Sequence, residues 1–273
     1  MQPLELRTSL VGALKAVLVG LVLLAWGPGA LGANLTLVVT PANSPEQTRK
    51  NFAGLARYLS ERTGHDVKLA TARNFFAYWE EMKKGNYDLI LDPAHFTDFR
   101  VKRMGYEVIA KVPEVLSFSL VSSEDELILE PSELIAKPVA SLASPSLGAV
   151  FLSQMYPSMI RQPVTVEVDN AQAAVAAIKD GRAVAAIIPT PMVGGFSGLS
   201  LIETTKQVPA LAFSVAPTVD AETRAKLKKA LIEASANPEG KKMLEVARIA
   251  GFESADDSIY DGYASLLEGV WGY

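Results

Sequence analysis

Leu35-Thr36-Leu37-Val38-Val39-Thr40-Pro41-Ala42-Asn43-Ser44-Pro45-Glu46-Gln47 carries the reading of the fold. Leu35 to Val39 is a short apolar run that reads as a strand, and Thr40 to Asn43 is a proline turn. Ser44 then suits an N-cap, Pro45 suits the first helical position, and Gln47 completes a capping box. Phe52, Leu55, Ala56 and Leu59 recur at helical spacing until Gly64 ends the helix. A strand that turns tightly into an amphipathic helix is the opening unit of an α/β chain.

The same rhythm continues outward. Val67 to Ala70 reads as a strand, Asn74 caps a helix through Phe76, Trp79 and Met82, Tyr87 to Leu91 is a buried strand, and Pro93 to Met104 contains a helix. A second set follows. Strands are expected at Leu116 to Val121, Val139 to Leu142, Val164 to Val168 and Ala183 to Ile188, with a short helix at Pro131 to Leu134. Longer helices are expected at Ser146 to Met155 and Asn170 to Lys179. Leu199 to Ile202 and Leu211 to Val215 supply two further strands. The tail is helical over Ala221 to Ala236, Pro238 to Arg248 and Asp257 to Leu267. The break between the sets falls near Pro113 to Ser117 and the return near Val208 to Phe213. Two lobes with mainly parallel sheets and a cleft between them follow from this pattern. Whether the chain rejoins the first lobe is left open by periodicity alone. No solenoid-length repeat or low-complexity segment interrupts it.

Residues 1–33 have a different character. Arg7 and Lys15 precede an apolar run from Ala16 to Trp26, Gly27-Pro28-Gly29 breaks it, and Ala30-Leu31-Gly32-Ala33 offers small residues for cleavage after Gly32 or Ala33. This is the layout of a secretory signal peptide. An uncleaved anchor needs ~20 apolar residues, and Lys15 and the Gly-Pro-Gly break leave fewer. The expectation is a protein exported to the periplasm or the extracellular space.

The chain has 273 residues, a net charge of −4 and no cysteine. That length is ample for a buried core. A mildly acidic balance gives no electrostatic reason to expect nucleic acid or anionic membrane as a partner. Absence of cysteine removes disulfides, thiol nucleophiles and thiolate metal sites.

Enzyme signatures are wanting. The two histidines are His65, placed in a turn after Gly64 and expected at the surface, and His95, placed at a strand-to-helix junction. One histidine without a second ligand at metal spacing does not make a metal site. Gly194-Gly195-Phe196-Ser197-Gly198 fails the nucleophile-elbow spacing at Leu199, and neither a Walker loop nor a dinucleotide fingerprint follows the first strand. No cofactor and no catalytic set is expected. Helix starts that follow strands are what the sequence offers. The first backbone N–H groups of a helix lack partners and the helix dipole adds positive character, so several such ends facing one cleft hold an anion. Asn43-Ser44 and Ala94-His95 are two such starts, and Ala143-Ser144-Pro145-Ser146-Leu147-Gly148 is the best. A serine at a helix start also serves as a plain cap.

In order and spacing these pieces resemble the phosphate/phosphite/phosphonate substrate-binding proteins of ABC transporters, within the type II periplasmic binding fold. The likeness runs through Val38 to Pro41, Leu55 to Ser60, Gly85 to Leu89, Asp92-Pro93-Ala94-His95-Phe96, Ser144 to Gly148 and Asp169-Asn170 with Ala173 to Val175. It closes with Asn237-Pro238-Glu239-Gly240, Gly251-Phe252 and Tyr260-Asp261. The resemblance implies that C-terminal helices complete the first lobe, giving 34–115 plus 212–273 as one lobe and 116–211 as the other. It also implies a monomer that closes over a small anionic solute and delivers it to an ABC permease. The same fold docked on a membrane sensor kinase, without transport, is the alternative; an extracellular enzyme on this scaffold is disfavoured by the missing chemistry. The ligand-binding residues expected are Asn43, Ser44, His95, Ser144, Ser146, Leu147, Gly148, Asn170 and Thr190. Several positions depart from the family pattern. Leu147 stands where a polar residue is usual, Asn170 replaces a histidine, and Pro189-Thr190-Pro191 lacks an acid that would greet an amino group. Asp92 has three placements open to it: facing the cleft, where it would repel a dianion, pointing to solvent, or capping the next helix.

Overall fold

In the computed structural model, residues 32–158, 160–270 and 273 are described. The signal peptide expected over 1–33 lies outside them apart from Gly32 and Ala33. The opening stretch forms β1 (Asn34–Val39) and α1 (Pro45–Thr63), followed by β2 (Asp66–Ala70), α2 (Phe75–Lys83) and β3 (Leu89–Asp92). The Gln47 amide donates to Ser44 Oγ at 3.2 Å, and Gly64 ends α1 in the left-handed region at φ 76°, its amide reaching the Ser60 carbonyl at 2.9 Å. The expected capping box is not closed. Gln47 Nε2 donates instead to Asn51 Oδ1 at 2.7 Å, one helical turn on.

β2, β1 and β3 pair in parallel in that order. The second set repeats the plan with β7 (Pro138–Leu142), α4 (Leu147–Met155), β8 (Val164–Val168), α5 (Ala171–Lys179) and β9 (Ala185–Pro189), paired in parallel as β8-β7-β9. Between the sets lie α3 (Ala94–Met104), β4 (Glu107–Lys111), β5 (Val115–Leu116) and β6 (Phe118–Ser123). After β9 come β10 (Leu199–Thr204), β11 (Val208–Pro209), β12 (Ala212–Val215), α6 (Ala221–Ile232), α7 (Pro238–Ala247) and β13 (Glu253–Ser254).

Two sheets result, a six-stranded one in the order β13-β4-β12-β3-β1-β2 and a five-stranded one in the order β10-β6-β9-β7-β8. They are mixed, each built on a parallel three-strand unit with antiparallel pairings beside it. β12 runs antiparallel to both β3 and β4, and β6 antiparallel to both β9 and β10. The parallel strands end at the edge where the two sheets meet. A strand that begins there, just after a crossing, has to run the other way. The crossings themselves, β5 and β11, pair with each other antiparallel as a two-stranded ribbon.

The second sheet shows how alternation sets its packing. Leu120, Val139 and Ile187 join one apolar cluster with Phe151, while their neighbours Val121, Ala140 and Ile188 join another with Ala174 and Val175. A period of two therefore covers both faces. The first lobe has one large core in which Tyr78, Trp79, Phe96 and Phe213 are fully or almost fully buried. Both α6 and α7 pack on α1. The helix expected over Ala221 to Ala236 breaks at Ile232 into a 3-10 turn, and the tail over Asp257 to Leu267 is two 3-10 turns rather than a helix. In the last of these, Leu267 enters the first-lobe core and Leu266 the second-lobe core. Among the described residues no helix is long and apolar enough to cross a membrane.

Candidate functional site

A cleft of about 590 Å³ opens between the two sheets. Its rim is set by strand ends. Thr40 follows β1, Pro93 follows β3, Leu142 ends β7, Asn170 lies just beyond β8, and Pro189 ends β9. Open α/β sheets bind ligands at the carboxyl ends of their strands, because that is where the helix starts are delivered.

The second-lobe helix starts are the better equipped. Ser146 is buried; its Oγ accepts the Ala149 amide at 3.3 Å and donates to the Leu142 carbonyl at 3.2 Å. That hydroxyl is fully engaged as a cap, and its proton is already placed. The next two amides, of Leu147 and Gly148, belong to the first turn and have no acceptor within the helix; both residues line the cleft. A side chain at Gly148 would bring its Cβ within 3.2 Å of two Phe118 ring carbons, so glycine lets the aromatic ring sit directly against the helix start. In α5 the Asn170 side chain accepts the Ala173 amide at 2.8 Å, which leaves the amides of Ala171 and Gln172 at the cleft without helical acceptors. The start of α1 is poorer: Pro45 has no N–H and Glu46 is an acid. From the first lobe Asn43, Gln47 and Arg248 reach the cleft, Arg248 from the left-handed cap of α7 at φ 57°.

Of the expected ligand residues, Asn43, Ser146, Leu147, Gly148 and Asn170 line this cleft. Ser44 lines a smaller adjoining hollow of about 180 Å³, together with Asn43, Arg73, Asn74 and Asp169. His95, Ser144 and Thr190 are not among the lining residues. Ser144 is exposed. Thr190 is held by the second sheet, its Oγ1 3.0 Å from Ser119 Oγ and its amide on the Ser117 carbonyl at 2.9 Å. His95 is fully buried, lies tilted against Phe96 with ring centroids 4.0 Å apart, and places Nε2 3.0 Å from the Pro145 carbonyl, joining the start of α3 to the loop before α4. Its Nδ1 has no partner. Burial pushes the imidazole down to about 4, against the opposing pull of the Pro145 bond and of Asp92 and with a further push from Arg100. His65, expected at the surface, is partly buried with Nε2 3.1 Å from Thr223 Oγ1.

Asp92 takes none of the three placements open to it in the sequence. It is fully buried beneath the cleft, paired with Arg100 and Tyr78, and it accepts from Thr97 Oγ1 at 2.9 Å. Arg100 Nη2 reaches Asp92 Oδ1 at 2.7 Å and Ser214 Oγ at 2.7 Å. Burial opposes the Arg100 charge, yet the neighbouring Asp92 carboxylate outweighs it and raises the guanidinium above its ordinary range. Desolvation, then Asp92, raises Tyr78. The pair neutralises itself and leaves no bare carboxylate to oppose an anion.

Residues that the sequence reading passes over also line the cleft: Gln47, Asn51, Phe52, Phe118, Gln172 and Arg248. Gln47 and Asn51, polar and four apart on an otherwise amphipathic helix, carry a signal that periodicity could have found. The aromatics carry none.

Residues 37–260 match the protein family described as ABC transporter, phosphonate, periplasmic substrate-binding protein. No curated protein matches the sequence. Among solved structures the chain is similar to PhnD1 from Prochlorococcus marinus in complex with methylphosphonate, at 13% identity and TM-score 0.75, covering 86% of this chain and 97% of that one. It is also similar to a binding protein component of an ABC phosphonate transporter from Pseudomonas aeruginosa, at 14% identity and TM-score 0.71, covering 86% and 85%. A protein from Xanthomonas citri bound to ATP is similar at 12% identity and TM-score 0.70, covering 88% and 100%. At these identities the likeness to solved structures establishes the two-lobed type II periplasmic binding fold.

Proposed function

The chain belongs to the family of periplasmic substrate-binding proteins of phosphonate ABC transporters, and from that premise we propose that its cleft binds the tetrahedral oxyanion of a phosphonate and presents it to an ABC permease. The family is one of transport binding proteins rather than enzymes, and the transport reading displaces the sensor-kinase alternative. We propose that the protein is exported by its leader, has no catalytic activity of its own and acts as a monomer.

One observation carries the reading: the first-turn amides of two second-lobe helices, at Leu147-Gly148 and Ala171-Gln172, line the same cleft. Such amides donate to an anion without bringing a charge that must be desolvated. Arg248 approaches from the opposite lobe and supplies the counter-charge. In this account Ser146 and Asn170 hold the helix starts in place rather than donating to the ligand. His95 acts on the loop before α4 rather than on the solute. The bodies that close are residues 34–115 with 212–273, and 116–211. The ribbon of β5 and β11 serves as the hinge.

A ligand that binds only the folded state raises its stability by mass action. Phosphate, phosphite, sulfate and methylphosphonate are each titrated in a thermal-unfolding assay. The expected result is a rise of about 5–10 °C for at least one phosphorus oxyanion at a hundred times its Kd. No rise with any of them would overturn the oxyanion reading.

A further inference from the structure

The oxyanion head accounts for only part of the cleft. About 590 Å³ lies in the range of pockets that enclose drug-sized molecules, whereas methylphosphonate is a handful of heavy atoms. The walls around the remaining space are apolar and come from both lobes: Phe52 and Phe75 on one side, Phe118, Ile187 and Met192 on the other. Among the described residues Arg248 is the one charged side chain of the lining, and no carboxylate is part of it. The Phe118 ring touches the first turn of α4 at Gly148, so an anion seated on the Leu147 and Gly148 amides directs its substituent along that ring.

We infer that the solute is a phosphonate with a ring-sized apolar substituent, an aryl or arylalkyl phosphonate, whose organic group packs between Phe118 and Met192 of one lobe and Phe52 and Phe75 of the other. This rests on the oxyanion reading of the same cleft and adds what lies beyond the head group. Aromatic side chains bind a ring through area and through offset or edge contacts. An ammonium on the substituent would be stripped of water and find no carboxylate among the lining residues.

Isothermal titration of the full mature chain at one fixed salt concentration tests this with phenylphosphonate, methylphosphonate, aminoethylphosphonate, phenyl phosphate and benzyl alcohol. Phenylphosphonate is expected to bind on the order of 10- to 100-fold more tightly than methylphosphonate, with aminoethylphosphonate the weakest of the three. Equal or tighter binding of methylphosphonate or aminoethylphosphonate would overturn the inference and leave the oxyanion reading standing. Benzyl alcohol binding as well as phenylphosphonate, or no phosphonate binding at all, would overturn both. Phenyl phosphate binding more tightly than phenylphosphonate would overturn the assignment to the phosphonate class in favour of aryl phosphate esters. Phe118→Ala is expected to lower the phenyl-to-methyl affinity ratio at least fivefold. Met192→Ser, a half-buried position on a 3-10 turn, lowers the same ratio and keeps the test available where Phe118→Ala does not fold. An unchanged ratio in a folded variant contradicts the inference.

Discussion

The two lobes are built on one plan and use it differently. Each has a three-strand parallel unit with its first strand in the middle, β2-β1-β3 in one and β8-β7-β9 in the other; the first lobe brings the starts of α1, α2 and α3 to the meeting edge and the second those of α4 and α5. In the first lobe α1 begins Ser44-Pro45-Glu46, with no N–H at its first position and an acid at its second. In the second lobe α4 begins Ser146-Leu147-Gly148, with two amides and no acid. The charges of the first lobe are under the edge, where Asp92 and Arg100 are wholly buried and paired. Equivalent topology thus separates two duties. The first lobe supplies an internally neutralised floor and the Arg248 counter-charge, and the second supplies the backbone amide donors.

The largest effect expected from that contrast is structural. Arg100→Met leaves Asp92 buried without its partner and is predicted to destabilise the fold by about 3–5 kcal/mol in urea unfolding. The Asp92→Leu/Arg100→Met double variant should recover most of that loss, because neither charge then remains buried alone. A loss below about 1 kcal/mol for the single variant would show that the pair is not the floor described.

The next effect concerns the joint between lobes. His95 is held near 4 in the folded protein, below its ordinary value of 6.5, because a second proton would fall on buried, partnerless Nδ1. The unfolded chain therefore binds more protons between those values. Stability is intact above pH 6.5 and falls as pH drops from 6.5 towards 4, by up to about 3 kcal/mol. His95→Gln, which keeps an amide donor for the Pro145 carbonyl, should flatten that segment of a stability-versus-pH curve. An equally steep curve in the variant would assign the acid sensitivity to other groups.

Caps give the smallest effects and the finest comparison. Ser146→Ala removes a buried cap that also donates to Leu142 and is predicted to cost about 1–2 kcal/mol. Ser44→Ala, at an exposed cap with one bond at 3.2 Å, should cost about 0.5 kcal/mol. Equal losses in parallel denaturation curves would contradict the greater burial of the second-lobe start.

What was legible in the sequence was local. Ser44-Pro45, Asn74, Ser146 and Asn170 mark helix starts because a cap is satisfied within three residues, and all four side chains accept the expected amide. Strand β4 went unread because Glu107 to Lys111 is five residues between a helix-ending glycine and a loop, and its place next to β12 is fixed only by a partner about a hundred residues on. The mixed sheets were hidden for the same reason, since direction is decided by where a crossing enters. Phe52 and Phe118 read as ordinary core residues, because nothing beside an aromatic says whether a cavity faces it. Gly240 was legible only as part of a pattern. Its cause is that an added Cβ would stand 2.0 Å from the Ala234 carbonyl oxygen, so α7 could not seat on the turn before it.

The account stands or falls on whether backbone amides of the second lobe hold the anion. Titration of the labelled protein with methylphosphonate, followed by amide nitrogen–proton correlation NMR, reads those groups one by one. The amide protons of Leu147, Gly148, Ala171 and Gln172 are predicted to move downfield together and to saturate with a single dissociation constant. Saturable shifts confined to the hollow around Ser44 and Arg73, with those four amides unmoved, would contradict it.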